Sequence, residues 1–120
     1  MTNLESLMRT SVGDHDGVGE LRVYRAYDRA AAPAGVAFID LVVVPPGSSI
    51  GLHRHGDDQE TYVLLRGEAT MRRGAAEFRV RAGDLVVNPP HGVHGLVNDS
   101  SDDVHLLVFE IAPITGGTPS

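Results

Sequence analysis

The sequence predicts an all-β fold in a single domain. Apolar and polar residues alternate over short segments, as they do in half-buried strands. Glycines, prolines and an Asn-Asp-Ser-Ser cluster separate these segments at short intervals. A helical period is confined to a weak turn near residues 4–9. With 120 residues the chain is long enough for one core. Many short strands indicate an antiparallel sandwich or a small barrel.

The predicted strands occupy the middle of the chain. Residues 1–20 and 113–120 are rich in Gly, Ser, Thr and Asp, and we expect both segments to be flexible. The barrel therefore spans 21–112, and the absence of an internal repeat predicts one barrel only. Its first strand alternates apolar and polar residues, and its second is a β-branched run that stops at a Pro-Pro-Gly turn. The predicted strands are 21–27, 36–44, 60–65, 69–72, 77–81, 84–87, 92–98 and 104–112.

The composition excludes several kinds of chemistry. The chain has no cysteine, which rules out disulfides, thiolate-bound metals, iron–sulfur clusters and a cysteine nucleophile. All 10 basic residues are arginine. Without a lysine, the chain has no side chain for a Schiff base or for attaching pyridoxal phosphate.

Charge and hydropathy predict where the protein works and what it binds. A net charge of −6 and a pI near 5.4 argue against nucleic acid or an anionic membrane as a partner. The sequence has no apolar run of the roughly 18 to 20 residues that span a bilayer. The N-terminal residues lack the basic and apolar regions of a signal peptide. We therefore expect a cytoplasmic protein.

Three imidazoles and one carboxylate, which together suit a divalent transition metal, are the main candidate site: His53, His55, Glu60 and His94. Strand alternation puts His53 and His55 on one side, about 7 Å apart along the chain. A turn after His55 can bring Glu60 back on a neighbouring strand, and His94 can close the site from across the barrel. We expect one ion per chain. The ligand types leave Fe, Mn, Ni, Cu and Zn open.

The charge of this ligand set predicts the chemistry of its partner. Three neutral imidazoles and one carboxylate leave a divalent ion with a net charge near +1. Four protein ligands also leave about two octahedral positions for water, substrate or dioxygen. A small organic molecule that presents an anionic oxygen, such as a carboxylate, enolate or phenolate, is therefore the expected substrate.

Glycines frame the two ligand-bearing segments in a recognisable pattern. The first segment fits G-x5-H-x-H-x4-E-x6-G through Gly47, His53, His55, Glu60 and Gly67. In this pattern and in the segment that carries His94, the chain resembles the cupin family over roughly residues 36–112. The second segment follows G-x5-P-x-G-x2-H-x3-N through Gly83, Pro89, His94 and Asn98, but His91 takes the internal glycine position, and Gly92 follows it.

The resemblance implies a cupin jelly-roll β-barrel, also called a double-stranded β-helix, with the metal inside. Small cupins are often homodimers joined by sheet edges or swapped N-terminal strands, so a homodimer is expected. The segment 21–27 is the candidate for that contact, because an unpaired edge strand needs cover. In the second segment we expect Gly92 to supply the tight turn that the internal glycine normally permits, and Asn98 to fix the turn after the His94 strand.

Two residues are catalytic candidates, each with a structural alternative. Tyr62 follows Glu60 by two positions and should share its face, so its hydroxyl either reaches the substrate or belongs to a wall aromatic. His91 lies near the mouth of the site, as a proton shuttle, a substrate contact or a solvated turn residue. His105 alternates with Leu107 and Phe109, which predicts that it faces the interior, near the metal or in the core.

The resemblance implies three classes of function. The favoured one is a metal-dependent oxidoreductase of the dioxygenase type. The alternatives are a non-redox isomerase or epimerase or a decarboxylase, and a barrel that binds a small ligand without turnover. The arginines are expected to be peripheral, which argues against a phosphosugar substrate.

Overall fold

The computed structural model describes residues 6, 8–13, 17–27, 36–54, 56 and 59–111. Within these ranges the chain forms ten β-strands, numbered here in chain order, and no α-helix. Its strands pair into two antiparallel sheets that face each other, which confirms the predicted all-β jelly roll. In the described part of the chain, no helix is long and apolar enough to cross a membrane.

The larger sheet holds six strands, and both the first and the last part of the described chain contribute to it. Its central strand, β10, pairs with β3 on one side and with β5 on the other. The spatial order is β1 (Arg9–Val12), β2 (Glu20–Tyr27), β3 (Val36–Val44), β10 (Val104–Ile111), β5 (Gln59–Arg66) and β8 (Leu85–Asn88).

The smaller sheet holds four strands and supplies the opposite wall of the barrel. Its spatial order is β4 (Ser49–Arg54), β9 (Val93–Val97), β6 (Glu68–Arg73) and β7 (Ala76–Arg81). The inward faces of the two sheets form one core, because side chains on a strand alternate between faces. Buried core residues come from both sheets: Leu21, Val42, Val44, Leu64, Leu106 and Val108 from the larger, and Ile50, Ala69, Met71, Val80 and Leu96 from the smaller.

The N-terminal region differs from the prediction in one respect. Residues Arg9–Val12, inside the segment expected to be flexible, form β1 and pair with β2. Strand β2 therefore lies between β1 and β3 and is not an edge strand. The expectation that 21–27 offers an open edge for dimer contact is wrong, because β1 already supplies the cover that an edge strand needs. The homodimer itself stays a prediction.

Strand β10 faces the core with the opposite set of residues from the predicted one. Val104, Leu106 and Val108 are buried in the core, whereas His105 is only partly buried and lies in the alternate phase with Leu107. The prediction failed because β10 is a central strand with apolar residues in both phases. A one-residue change of phase then leaves no mark in the sequence pattern. His105 thus lines a surface depression near Asp103 and does not face the interior.

One end of the barrel is closed by the fully buried Asn98. Its Nδ2 donates to the carbonyl oxygens of Val44, at 2.8 Å, and of Asp102, at 2.7 Å. Its Oδ1 accepts from the backbone N–H of Ser100 at 2.9 Å and from the Ser100 hydroxyl at 2.7 Å. These bonds confirm that Asn98 fixes the turn after β9, and they tie that turn to the end of β3. We call these four residues the closed end.

Candidate metal centre

A β-bulge in β4 turns His53 into the barrel. Ile50 pairs with Leu96 and His53 pairs with His94. Between these two pairs β4 advances by three residues and β9 by two, so β4 contains one extra residue. The extra residue resets the alternation, and Ile50 and His53 therefore face the same interior. Gly95, opposite the bulge, makes this close approach possible. A Cβ there would lie 2.9 Å from the Ile50 carbonyl oxygen, closer than side-chain carbons approach backbone.

The bulge also fixes which nitrogen of His53 is available to a ligand. His53 Nδ1 lies 2.9 Å from the carbonyl oxygen of Gly51. A carbonyl only accepts hydrogen bonds, so Nδ1 carries the hydrogen and donates. In the neutral ring, Nε2 is then the nitrogen with the lone pair. An imidazole held in this way by a backbone carbonyl is the usual arrangement for a metal-binding histidine.

His94 and Glu60 meet across the two sheets. His94 projects from β9 of the smaller sheet and Glu60 from β5 of the larger, and both are buried. Their Nε2 and Oε1 atoms lie 2.8 Å apart. The His53 ring packs edge-on against the His94 ring, with 4.5 Å between centroids. The strands therefore bring three of the four predicted ligands to one point between the sheets.

The three side chains fit a divalent ion. One donor atom from each of His53, Glu60 and His94 lies within 4.8 Å of the others. Ligand atoms at about 2.0 to 2.2 Å from one ion lie roughly 3 to 4 Å apart, so these positions require little adjustment. Two nitrogens and one oxygen suit Fe, Mn, Ni, Cu and Zn alike. The fourth predicted ligand, His55, lies outside the described residues.

A cavity of about 180 Å³ leads to this cluster from the side of the larger sheet. Glu60 and Tyr62, both buried, line its inner part, and the aliphatic side chains of Ile50, Val42 and Val108 form much of its wall. Tyr62 lies beside the metal ligands, because its ring meets the His94 ring edge-on at 5.4 Å. Tyr62 therefore shares the inward face with Glu60, as predicted, and this placement is common to the catalytic interpretation and to that of a wall aromatic. Its catalytic role stays a prediction.

Arg25 also lines the cavity and is a residue that the sequence reasoning missed. Its Nε and Nη2 donate to the two carboxylate oxygens of Asp40 at 2.9 and 3.1 Å. The guanidinium lies 4.1 Å from the centroid of the Phe38 ring. Strand alternation could have identified Arg25, because it lies two and four residues after the inward-facing Val23 and Leu21 and therefore projects from the same face. The expectation that the arginines are peripheral is wrong for Arg25.

Comparison with known proteins identifies the family. A family model described as the cupin domain matches residues 40–110, which include His53, Glu60 and His94. The chain belongs to the cupin family. The match begins within β3 and ends within β10, so it covers the strands that carry the ligands and the core between them.

Individual cupins share this architecture. An oxalate-binding protein from Thermotoga maritima is 28% identical over 95 residues, which are 79% of this chain and 78% of that protein. The crystal structure of a predicted oxalate decarboxylase from Thermotoga maritima has a TM-score of 0.85 at 24% identity, over 88% of this chain and 92% of that one. A Cupin 2 conserved barrel domain protein from Salinispora arenicola has a TM-score of 0.74 at 24% identity, over 92% and 86% of the two chains. Both structures support the cupin fold.

The second cupin segment turns in an unexpected way. His91, at the position of the internal glycine, itself adopts a left-handed backbone with φ of 63°. Gly92 has no positive φ, so the expectation that it takes over the turn is wrong. The His91 N–H donates to the carbonyl oxygen of Gly56 at 2.9 Å, which holds this turn against the loop that follows β4. The His91 side chain is exposed, and its catalytic role stays a prediction.

Proposed function

We propose that this cupin is a metal-dependent enzyme that acts on a small organic carboxylate. The observation that carries the proposal is the convergence of His53, Glu60 and His94 at one point, beside a cavity that Glu60 and Arg25 both line. His55 is proposed as the fourth ligand. This arrangement offers a binding site for an anion at the metal and a second cationic contact, Arg25, away from it.

Different residues of the chain bind the substrate, exclude water and hold a proton. Arg25, held in place by Asp40, presents its guanidinium to a carboxylate oxygen of the substrate. The aliphatic wall of the cavity excludes bulk water and so strengthens electrostatic contacts inside it. The Tyr62 phenol holds a proton beside the substrate, and His91 exchanges protons with solvent at the mouth. A bound divalent ion supplies Lewis acidity and, when it is redox-active, the means to use dioxygen as an oxidant.

Two observations support a small carboxylate as the substrate. The cavity of about 180 Å³ is smaller than the roughly 300 to 1,000 Å³ of pockets that take drug-sized ligands. A relative that is 28% identical over 79% of this chain is an oxalate-binding protein. For the reaction we propose oxidative cleavage of a carbon–carbon bond of the carboxylate substrate, in which both atoms of dioxygen enter the two products, which makes the protein an oxidoreductase of the dioxygenase type.

A second candidate function is binding of a small carboxylate without turnover. The relative from Thermotoga maritima, an oxalate-binding protein, favours this function directly. Decarboxylation without net consumption of dioxygen is the third outcome that the same site allows. All three functions use the same metal and the same anionic ligand. They differ in whether the ligand reacts and in which gas is consumed or released, so one experiment separates them.

The experiment measures metal content first and reaction second. Untagged protein is analysed by plasma mass spectrometry beside His94→Ala and, as the matched control, His105→Ala, a histidine distant from the ligand cluster. About one ion per chain is expected in the native protein and in His105→Ala, and almost none in His94→Ala. Equal metal content in all three proteins would exclude the proposed site.

The reaction is then assayed on metal-loaded protein with oxalate and other small carboxylates. Dioxygen uptake by an oxygen electrode supports the oxidoreductase. Release of carbon dioxide without net dioxygen uptake supports the decarboxylase. Binding seen by calorimetry, with neither gas changing, supports the binding protein. The absence of both binding and turnover would overturn the carboxylate as the ligand class.

A further inference from the structure

Asn88, the last residue of β8, carries a buried amide that the protein does not satisfy. The side chain is 1% exposed. In the described part of the chain, neither its Nδ2 nor its Oδ1 has a hydrogen-bond partner. A buried amide left without hydrogen bonds destabilises the folded protein, so proteins rarely keep one without a use.

The register of the sheet places this amide beside the metal ligands. Asn88 pairs directly with Glu60 across the β5–β8 ladder. Residues directly opposite each other in a ladder project from the same face, with Cβ atoms about 4.5 to 5.5 Å apart. Val86, two residues earlier in β8, is part of the core, which confirms that this face points inward. Leu85 and Val87 alternate with them and are exposed.

The chemistry of the amide identifies what it contacts. An asparagine side chain offers two N–H donors and one acceptor oxygen, so it binds groups that an apolar wall cannot. A carboxylate accepts hydrogen bonds only, and it is the ligand class proposed for this site. A donor to an ionised oxygen forms one of the stronger hydrogen bonds in proteins. In the strand order Asn88 lies beyond Glu60 from Arg25, so its amide is next to the metal ligands and outside the cavity wall that holds Arg25.

We propose that Asn88 is a specificity-determining residue whose Nδ2 donates a hydrogen bond to a carboxylate oxygen of the bound ligand. This inference rests on the proposed function, because it takes the ligand class from it. Asn88 pairs with Glu60, so its amide contacts the carboxylate oxygen that lies nearest the metal ligands. The site therefore prefers a carboxylate to a neutral molecule of similar size.

The test uses two variants of nearly unchanged size. Asn88→Leu removes the amide, and Asn88→Asp keeps its shape but replaces the donor with a negative charge. Mn²⁺-loaded proteins are titrated with oxalate and with acetate by calorimetry, and the melting temperature of each metal-free protein is measured. Asn98→Leu is the matched control, since it makes the same chemical change at a buried asparagine whose hydrogen bonds are satisfied.

Asn88→Leu is expected to weaken oxalate binding about 10- to 100-fold, as the loss of a hydrogen bond to a charged group does. Asn88→Asp weakens it at least as much. Acetate binding weakens in parallel, Mn²⁺ content stays the same, and the melting temperature of metal-free Asn88→Leu is equal to or higher than that of the native protein. The higher stability follows because the substitution removes an unsatisfied buried group.

Several results would overturn the inference. Unchanged oxalate affinity in both Asn88 variants would show that the amide does not contact the ligand. A lower melting temperature with unchanged affinity would make Asn88 a structural residue. Loss of Mn²⁺ together with oxalate would mean that Asn88 positions Glu60 instead. If the native protein itself binds no oxalate or acetate, the proposed function fails as well, which separates that failure from a failure confined to Asn88.

Discussion

Two fully buried asparagines occupy opposite ends of the barrel and are treated differently by the fold. Asn98 makes four side-chain hydrogen bonds at the closed end, to Val44, Ser100 and Asp102. Asn88 makes none within the described residues, although it is buried to the same extent. Satisfied and unsatisfied amides of equal burial differ in free energy by a few kcal/mol. The contrast therefore separates an amide that stabilises the fold from one that is kept for a ligand.

The same contrast applies to the two ends as a whole. At the closed end, Asn98 joins the end of β3 to the turn after β9. At the other end, His53, Glu60 and His94 bring polar atoms together between apolar walls. Strand β9 connects both ends, with His94 near its start and Asn98 just after its last residue, about 13 Å apart along the strand. The hydrogen bonds of Asn98 and the candidate metal centre thus lie at separate ends of the same strand, and substitutions should affect either stability or metal binding.

The largest expected effect is at the ligand end, from Glu60→Gln. The variant keeps the size of the side chain and removes the charge that holds a cation. Residues that only support metal ligands cost 10- to 100-fold in affinity when they are lost, so a charged ligand should cost more than about 100-fold. The measurement is a metal competition titration, with Glu68→Gln, an exposed carboxylate on β6, as the control. Native affinity in Glu60→Gln would remove this residue from the site.

The closed end should respond to Asn98→Leu with a loss of stability and no loss of metal. The substitution leaves the carbonyls of Val44 and Asp102 without their buried donor, and we expect the free energy of unfolding to fall by about 3 kcal/mol. Urea denaturation of the metal-free protein measures it. Metal affinity should stay native, because the residue is one strand length from the ligands. A variant that loses metal but keeps its stability would reverse the proposed division of the barrel.

A smaller effect is expected from Gly95→Ala, which acts on His53 through the bulge. The added Cβ would meet the Ile50 carbonyl oxygen at 2.9 Å, so the bulge must shift and carry the Gly51 carbonyl away from His53. We expect metal affinity to fall about tenfold, as for other partners that orient metal ligands. Gly56→Ala is the matched control, since its Cβ would meet nothing within 4 Å. Equal affinities in the two variants would show that the bulge does not position His53.

The sequence predicted much of the barrel and three members of the candidate metal cluster, because each left a local pattern. Turn residues and alternation predicted most strands, and the spacing of His53, Glu60 and His94 within the glycine frames predicted the cluster that the strands bring together. What the sequence did not reveal is where alternation is interrupted. The bulge at Gly51 and Leu52 changes the facing of His53, yet it looks like ordinary strand sequence.

The remaining misses share a physical cause, which is that contacts across strands have no signature along the chain. Asn88 is one residue before a proline and reads as a turn residue, and only its pairing with Glu60 places it at the site. Arg25 was predicted to be peripheral, although strand alternation puts its side chain on the same face as Leu21 and Val23. His91 was expected to leave the left-handed turn to Gly92, but its own backbone adopts φ of 63°. Histidine adopts a positive φ more often than most residues other than glycine, but glycine adopts it far more readily, so the neighbouring Gly92 was the residue expected to make the turn.

The smallest effect should come from Asp99, which follows Asn98 but is exposed. Hydrogen bonds from Arg79 and from Thr70 lower the pKa of Asp99 below its usual range. A lowered pKa in the folded state stabilises the protein above the unfolded value of about 3.9, and this stabilisation is lost as the pH falls through the folded value. Asp99→Asn should therefore lower the melting temperature slightly at pH 7 and have no effect at a pH below the folded pKa.

Melting curves of native protein and Asp99→Asn from pH 2 to pH 7, at low and high salt, measure this difference. The double variant Arg79→Gln/Asp99→Asn should be no less stable than the sum of the single variants predicts, because the two residues share one interaction. Salt should reduce the difference, since both side chains are half exposed. A loss at pH 7 as large as that of Asn98→Leu, which disappears at low pH, would mean that the Arg79–Asp99 ion pair holds the closed end, and the buried amide of Asn98 would lose the role that sets it apart from Asn88.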